Sequence, residues 1–321
     1  MKRRKMNWLI GVVVAIAVVL GLLFLSGGQF IALDYKDFPR DTLEKLVTSN
    51  PLETMTITGS LEVEVDSPMT QWAMMFLPGT FFVDVRINGR KASLSIDTGA
   101  AQTFISPHLA AAAQISLTSS RLTAQHGWRE IPVYMGYIRD LELGDMKIQN
   151  MPAIVGGQQP VVKLLGLPVW NFDGVLGMEP LRRLVLLLDY KRRVVVLRRE
   201  PFPSQVPSVP LQILTESGLG GLEHPKPIVE CFVNNSGPFS CFIDTGTSAP
   251  IFVPREIWQT LHVEGQRQAR LEVRIGELKL QEVPAIKANV KHITIGSNIF
   301  QAQGLKRLTL DFLAGKLYAE R

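Results

Sequence analysis

The sequence repeats itself in two halves, and this repeat limits the possible folds more than any other feature. Three pairs of similar segments occur in the same order along the chain. They are SIDTG (95–99) and FIDTG (242–246), LELGDMKIQNMPAI (141–154) and VRIGELKLQEVPAI (273–286), and GMEPL (177–181) and GSNIF (296–300). Because segments that recur in a fixed order indicate a duplicated unit, we predict that each half is one copy of a domain of about 120 residues.

The local patterns inside each copy are typical of β-strands. Residues 82–96 alternate apolar and polar side chains around Asn88-Gly89, which is the strongest two-residue signal for a hairpin. Residues 228–243 repeat this arrangement around a turn predicted at 234–237. Helical patterns are few and short, and they occur at 41–47, 106–113 and 254–261. The sequence therefore predicts two mainly β lobes.

An unbroken apolar run from Trp8 to Leu25 follows four consecutive cations at residues 2–5. Its 18 residues would span about 27 Å as a helix, close to the thickness of a bilayer core. The preceding cations favour a cytoplasmic N-terminus, so we predict an anchor with extracytoplasmic lobes, in a bacterial inner membrane facing the periplasm. Two alternatives stay open: a cleaved signal peptide, although the run is longer than an ordinary h-region, and an anchor in a eukaryotic secretory membrane.

The charge and composition exclude several other classes of protein. A 46% hydrophobic and 20% charged composition excludes a disordered chain. Four of the five net positive charges lie at residues 2–5, so the remainder is nearly neutral and no nucleic-acid partner is expected. The five histidines show no ligand spacing, so we expect neither a metal site nor a cofactor.

The two cysteines, Cys231 and Cys241, lie on the two arms of the hairpin predicted in the second copy. A cross-strand disulfide there is possible in principle, but such bridges strain disulfide geometry. The sequence leaves open whether the two thiols are bridged.

The patterns divide the chain into five segments. These are a basic tail and transmembrane anchor (1–28), a stalk or pro-like segment (29–77), an N-terminal lobe (78–200), a Pro/Gly-rich linker (201–226) and a C-terminal lobe (227–321). The stalk is expected to contain a small helix and an added strand.

Each copy carries Asp-Thr-Gly directly after an apolar strand. One such tripeptide is usually only a turn, but two at equivalent positions of a duplicated β domain are specific. Here the sequence resembles the aspartic peptidases: DTGA at 97–100 is similar to retropepsins, and DTGTS at 244–248 is similar to pepsin-like proteins. FDGVLG at 172–177 and ITIG at 293–296 are similar to the family's second hydrophobic-hydrophobic-Gly element. The resemblance implies an all-β fold of two homologous pepsin/retropepsin-like β-barrel lobes with the active site between them, joined to the transmembrane helix.

The resemblance implies that Asp97 and Asp244 are the catalytic pair. Two carboxylates about 3 Å apart cannot both ionise readily, so one stays protonated near working pH. The ionised member would activate water, and the protonated member would donate to the developing oxyanion. The residues expected to support the pair are Thr98, Gly99, Ala100, Thr245, Gly246 and Thr247. Of these, Thr98 and Thr245 would hydrogen-bond across the lobe interface.

Ala100 departs from the pepsin-like pattern, in which a serine or threonine usually follows the first tripeptide. A hydroxyl group there would stabilise the ionised pair, so its absence predicts activity at less acidic pH.

The first copy contains an insertion that predicts a flap over the cleft. Asp97 and Gly144 are 47 positions apart, whereas Asp244 and Gly276 are 32 apart, a difference of 15. A hairpin at 122–134 fits this difference, and the resemblance implies that it covers the substrate. The candidate flap residues are Gln125, His126, Gly127 and Trp128. For Trp128, ordinary core packing is an equal alternative.

These observations predict a membrane-tethered aspartic endopeptidase that acts on a polypeptide substrate and is active as a monomer. The alternative is a catalytically silent, aspartic-peptidase-like module that binds extended peptides by strand addition. Because both aspartates are present with their Thr-Gly neighbours, the sequence favours the enzyme.

Overall fold

The structure is a computed structural model that describes residues 31–48, 54–126, 129–164, 167–203, 206–218, 222–261, 263 and 267–321. The transmembrane helix predicted at 8–25 lies outside the described residues. Within them, no helix is long and apolar enough to span a bilayer.

The described residues form 23 strands and six short helices. The strands of the first half are β1 (Ile31–Asp37), β2 (Thr56–Gly59), β3 (Glu62–Asp66), β4 (Phe82–Ile87), β5 (Arg90–Ile96), β6 (Thr103–Ile105), β7 (Ser116–His126), β8 (Arg129–Leu143), β9 (Met146–Gly156), β10 (Gln158–Leu164), β11 (Leu167–Asn171), β12 (Gly174–Leu176), β13 (Val185–Asp189) and β14 (Val194–Arg198). Those of the second half are β15 (Ser208–Ser217), β16 (Glu223–Val233), β17 (Ser236–Asp244), β18 (Ile251–Pro254), β19 (Gln268–Ile275), β20 (Leu278–Ala288), β21 (Ile293–Gly296), β22 (Arg307–Asp311) and β23 (Lys316–Glu320). The helices are α1 (Arg40–Glu44), α2 (Pro68–Ala73), α3 (Pro107–Ala112), α4 (Met178–Leu181), α5 (Arg255–Thr260) and α6 (Ser297–Ala302).

Two β-barrels dominate the structure, and they are built in the same way. In the first, β4, β5, β12, β6, β9 and β8 pair in this order, and β8 closes the ring on β4. In the second, β16, β17, β21, β18, β20 and β19 pair in this order, and β19 closes the ring on β16. Because equivalent strands occupy equivalent places, the predictions of a duplicated domain and of two β lobes are confirmed.

The turns explain why the two copies share their sequence signals. Asn88 and Gly89 both have positive φ angles, 46° and 83°, as the tight hairpin between β4 and β5 requires. In the second copy Asn234 and Asn235 form the tight turn, and Ser236 already belongs to β17, so the turn is shorter than the predicted 234–237.

Between the two barrels lies an antiparallel sheet to which both copies contribute. Its order is β3-β14-β13-β22-β23-β15, and Leu187 of β13 lies opposite Thr309 of β22 at its centre. Two of these strands come from segments that the sequence places outside the two lobes, and β15 also pairs with β16 of the second barrel. Residues 62–66 form β3 within the predicted stalk, and residues 208–217 form β15 within the predicted linker.

Cys231 and Cys241 are joined by a disulfide inside the second barrel, with their Cα atoms 5.8 Å apart. Both side chains are fully buried. In the β16–β17 ladder, Cys231 lies opposite Phe239 and Cys241 opposite Val229, so the bridge runs diagonally across the two strands. The structure therefore decides the question that the sequence leaves open.

Strands β1, β10 and β11 form a separate three-stranded sheet in the order β1-β10-β11. This sheet belongs to a second compact unit, which contains residues 31–37, 159–164 and 167–172 of the described chain. Within it, Lys163 Nζ forms an ion pair with Asp34 Oδ2 at 2.6 Å.

Candidate active site

Each barrel presents one aspartate at the end of an equivalent strand. Asp97 directly follows β5, and Asp244 is the last residue of β17. Beside them run the parallel strands β12 and β21, which place Leu176 opposite Ile96 and Gly296 opposite Asp244. The duplication thus gives both aspartates the same local backbone.

The carboxyl groups of Asp97 and Asp244 meet and form a hydrogen bond with each other. The two glycines that follow them make this approach possible. A Cβ atom on Gly99 would lie 2.6 Å from Asp244 Oδ1, and a Cβ atom on Gly246 would overlap the Asp97 carboxyl group. Since any larger residue would collide with the opposite carboxyl group, both positions require glycine.

Backbone N–H groups donate to each carboxyl group from its own loop. Asp97 Oδ1 accepts from the N–H of Gly99 at 2.7 Å and from that of Ala100 at 3.1 Å. Asp244 accepts from Gly246, whose N lies 3.0 Å from Oδ1, and from the backbone N–H of Thr247. These donors favour the ionised carboxylate and oppose the effect of burial.

The two aspartates differ in their readiness to ionise. Burial raises the pKa of both carboxyl groups. Burial and the charge of Asp97 beside it raise the pKa of Asp244 to about 7. The hydrogen bond between the two carboxyl groups lowers the pKa of Asp97 and raises that of Asp244. The pair therefore shares one proton, so that one carboxyl group is ionised while the other stays protonated and donates to it.

Thr98 and Thr245 lie next to the aspartate pair, and each forms hydrogen bonds with the backbone of the opposite lobe. Thr98 Oγ1 donates to the Ile243 carbonyl at 2.7 Å, and Thr245 Oγ1 donates to the Ile96 carbonyl at 3.1 Å. Both residues are buried. The hydroxyl groups thus join the two aspartate loops to each other from below.

The predicted insertion forms the hairpin of β7 and β8, with His126 opposite Arg129 in the ladder. Gln125 and His126 end β7, but the turn itself, Gly127 and Trp128, lies outside the described residues. The backbone therefore places a hairpin where the flap is predicted, and the role of its four candidate residues stays a prediction.

The structure also brings His224 to the site, although no motif in the sequence identifies this residue. Its Nε2 atom lies 3.0 Å from the Gly99 carbonyl oxygen. A single histidine in a Pro/Gly-rich segment carries no sequence signal, and only the fold places it there. Among the described residues, no cluster of three or more His, Cys, Asp or Glu side chains could hold a metal ion.

Residues 83–183 match the family described as "gag-polyprotein putative aspartyl protease". This segment covers most of the first barrel and contains Asp97. The chain is therefore a bilobal protein whose first barrel is similar to this aspartyl protease family and whose second barrel repeats the same strand order.

Among solved structures, basic 7S globulin from soybean is similar with a TM-score of 0.42 and 12% sequence identity. The match covers 84% of this chain and 95% of the globulin chain. No curated protein is significantly similar to the sequence.

Proposed function

We propose that the protein is an aspartic endopeptidase that hydrolyses peptide bonds with a water molecule activated by Asp97 and Asp244. The observation that carries this proposal is the hydrogen-bonded pair of buried carboxyl groups, one from each barrel. Two buried acids placed together are costly for stability, and such an arrangement is typical of acid–base catalysis.

The asymmetry of the pair assigns a role to each carboxyl group. Asp97, as the ionised member, would accept a proton from the attacking water. Asp244 retains its proton because burial and the charge of Asp97 raise its pKa to about 7. It would therefore donate a hydrogen bond to the oxyanion that forms on the peptide carbonyl. No covalent intermediate and no cofactor is needed.

Because one chain supplies both carboxyl groups, we propose that the monomer is active. This distinguishes the protein from an enzyme that gains its second aspartate by dimerisation. Activity per molecule should stay constant on dilution, and a loss that follows dissociation of a dimer would contradict the monomer.

We also propose that residues 8–25 tether the protein to a membrane, with the lobes on the extracytoplasmic side. The apolar run and the cations before it support this placement. The disulfide between Cys231 and Cys241 supports it independently, because disulfides persist in oxidising compartments. The substrates would then be extended segments of membrane or newly exported proteins near the bilayer surface.

The test uses the full chain in detergent and a pool of synthetic peptides, with cleavage read by mass spectrometry. Asp97→Asn and Asp244→Asn should each abolish cleavage, because the two carboxyl groups act as one unit. Asp145→Asn is the matched control, since Asp145 is an exposed turn residue. Activity within about tenfold of wild type in either dyad variant would contradict the mechanism.

A statine-type transition-state mimic separates the enzyme from the alternative of a silent peptide-binding module. The enzyme should be inhibited by this compound in a one-to-one titration. Peptide binding without cleavage by the wild-type chain would support the silent module.

A further inference from the structure

His224 connects the second lobe to the aspartate loop of the first. It lies in β16, the first strand of the second barrel, and its half-buried ring reaches the carbonyl oxygen of Gly99 at 3.0 Å. A carbonyl oxygen only accepts hydrogen bonds, so Nε2 must carry a proton and donate it.

The Gly99 carbonyl matters because of the peptide unit to which it belongs. That peptide also contains the N–H of Ala100, which donates to Asp97 Oδ1 at 3.1 Å. The peptide is planar, so fixing the direction of its carbonyl also fixes the direction of its N–H. A hydrogen bond to the carbonyl also polarises the N–H and makes it a stronger donor.

The same loop is held from its other end by α4. The Met178 N–H donates to the Ala100 carbonyl at 2.8 Å. Beside His224, Glu223 pairs with Arg182 at 3.3 Å, and Arg182 pairs with Glu179 of α4 at 2.7 Å. The Arg182–Glu223 ion pair thus joins the start of β16, next to His224, to the first lobe.

The second lobe does not repeat this contact. Within the described part of the chain, no side chain donates to the Gly246 carbonyl. The extra support therefore falls only on the loop of Asp97. We propose that His224 is a positioning residue that orients the Gly99–Ala100 peptide, so that the Ala100 N–H stabilises the ionised carboxylate of Asp97.

The charged side chains near His224 do not replace its hydrogen bond to Gly99 in stabilising the Asp97 carboxylate. Glu216 lies opposite His224 in the β15–β16 ladder, and Lys226 follows on the same strand. These two side chains form an ion pair at 2.8 Å, so their charges offset each other. Burial lowers the pKa of His224, so the ring is neutral near pH 7 and acts there as a hydrogen-bond donor.

This inference rests on the proposed function for its kinetic test but not for its spectroscopic test. His224→Ala should lower kcat about tenfold and change KM less than about twofold, because the ring orients the catalytic loop. His224→Gln should restore kcat to within about threefold of wild type, because the amide can donate to the same carbonyl. His292→Gln is the matched control, since His292 is half-buried and bonds Glu216 at 3.0 Å.

The second readout is a pH titration of the aspartate carboxyl groups by 13C NMR on the full chain, with Asp97 assigned through Asp97→Asn. Asp97 should titrate at higher pH in His224→Ala and at the wild-type pH in His224→Gln and His292→Gln. An unchanged Asp97 titration in His224→Ala would overturn the inference, and so would a glutamine variant as impaired as the alanine variant.

Two further outcomes can be told apart. If the wild-type chain cleaves no peptide, the proposed function fails, whereas the NMR titration still decides the role of His224. If His224→Ala does not fold, 15N NMR of the wild-type ring takes its place. A proton on Nε2 would support the inference, and a proton on Nδ1 alone would overturn it.

Discussion

Thr98 and Thr245 exchange reciprocal hydrogen bonds across the boundary between the two lobes. The backbone N–H of each residue donates to the hydroxyl oxygen of the other, and both distances are 3.0 Å. Each hydroxyl group donates in turn to a carbonyl oxygen of the opposite strand. Four hydrogen bonds therefore determine how far apart the two aspartate loops lie.

Replacing either threonine by valine should weaken both the fold and the activity. Thr98→Val keeps the shape but leaves the Ile243 carbonyl and the Thr245 N–H buried without partners, which should cost about 2 to 4 kcal/mol. Thr98→Ser keeps the hydroxyl group and should cost much less. Denaturant unfolding followed by tryptophan fluorescence measures the difference, and Thr215→Val, at an exposed position of β15, is the control. A valine variant as stable as the serine variant would show that these hydrogen bonds contribute little.

The stability of the protein should fall as the pH rises from about 4 to about 7. The pKa of Asp244 is raised from its ordinary value of 3.8 to about 7 in the folded state. The folded chain therefore binds a proton that the unfolded chain releases in this range, and this favourable contribution is lost as the pH passes about 7. Asp97 acts in the same direction, because its pKa is raised as well.

Asp244→Asn removes the contribution of the Asp244 carboxyl group to the pH dependence of stability. The amide cannot ionise, so the fall in stability between pH 4 and pH 7 should be markedly smaller than in the wild type. Denaturation midpoints at several pH values provide the measurement. Glu216 acts in the opposite sense and mainly at the acid end, because its ion pairs lower its pKa to about 2, so that its contribution is lost as the pH falls from about 4.5 to about 2 in both proteins. Parallel pH profiles for the two proteins would contradict the shifted pKa.

Thr309→Val should stabilise the sheet between the lobes. Thr309 is fully buried at the centre of that sheet, opposite Leu187, and its hydroxyl group has no hydrogen-bond partner among the described residues. Valine has nearly the same shape and removes the unsatisfied group, so the free energy of unfolding should rise by about 1 kcal/mol. Thr309→Ser is the control: it keeps the hydroxyl group, loses a methyl group and should be less stable than the wild type. A valine variant less stable than the wild type would mean that the hydroxyl group has a partner.

Much of this architecture follows from local signals in the sequence. Asn88-Gly89 predicts its hairpin because both residues tolerate positive φ, and the strands on either side alternate as a half-buried ladder requires. The helical patterns at 41–47, 106–113 and 254–261 correspond to α1, α3 and α5. The paired Asp-Thr-Gly segments identify the residues that the fold brings together.

The features of the structure that local sequence signals do not predict depend on contacts between residues far apart in the chain. β15 contains a proline, Pro210, and only one buried side chain, so its composition resembles that of a linker, yet Val209 pairs with Leu317 of β23. The contact between His224 and Gly99 joins positions 125 residues apart. Neither feature has a periodicity or a motif, so only the tertiary structure shows them.

Ala100→Ser should move the activity profile toward acid. The Ala100 N–H already donates to Asp97, and the residue has no hydroxyl group to add a further donor. A serine hydroxyl that reaches the same carboxylate would stabilise the ionised form and lower the apparent pKa values of the pair. It would also spread the negative charge of Asp97, which is one of the causes that raise the pKa of Asp244 to about 7.

The upper limb of the wild-type profile should therefore extend toward neutral pH, and in Ala100→Ser it should shift to lower pH by roughly one unit. Rates of peptide cleavage across the pH range provide the test, and Ala112→Ser, at an exposed position of α3, is the matched control. The shift should appear in kcat as well as in kcat/KM, because the pair titrates in the substrate complex too. An optimum below about pH 3.5 that does not respond to Ala100→Ser would refute the assignment, because the pair would then ionise as in the acid pepsins despite the missing hydroxyl group.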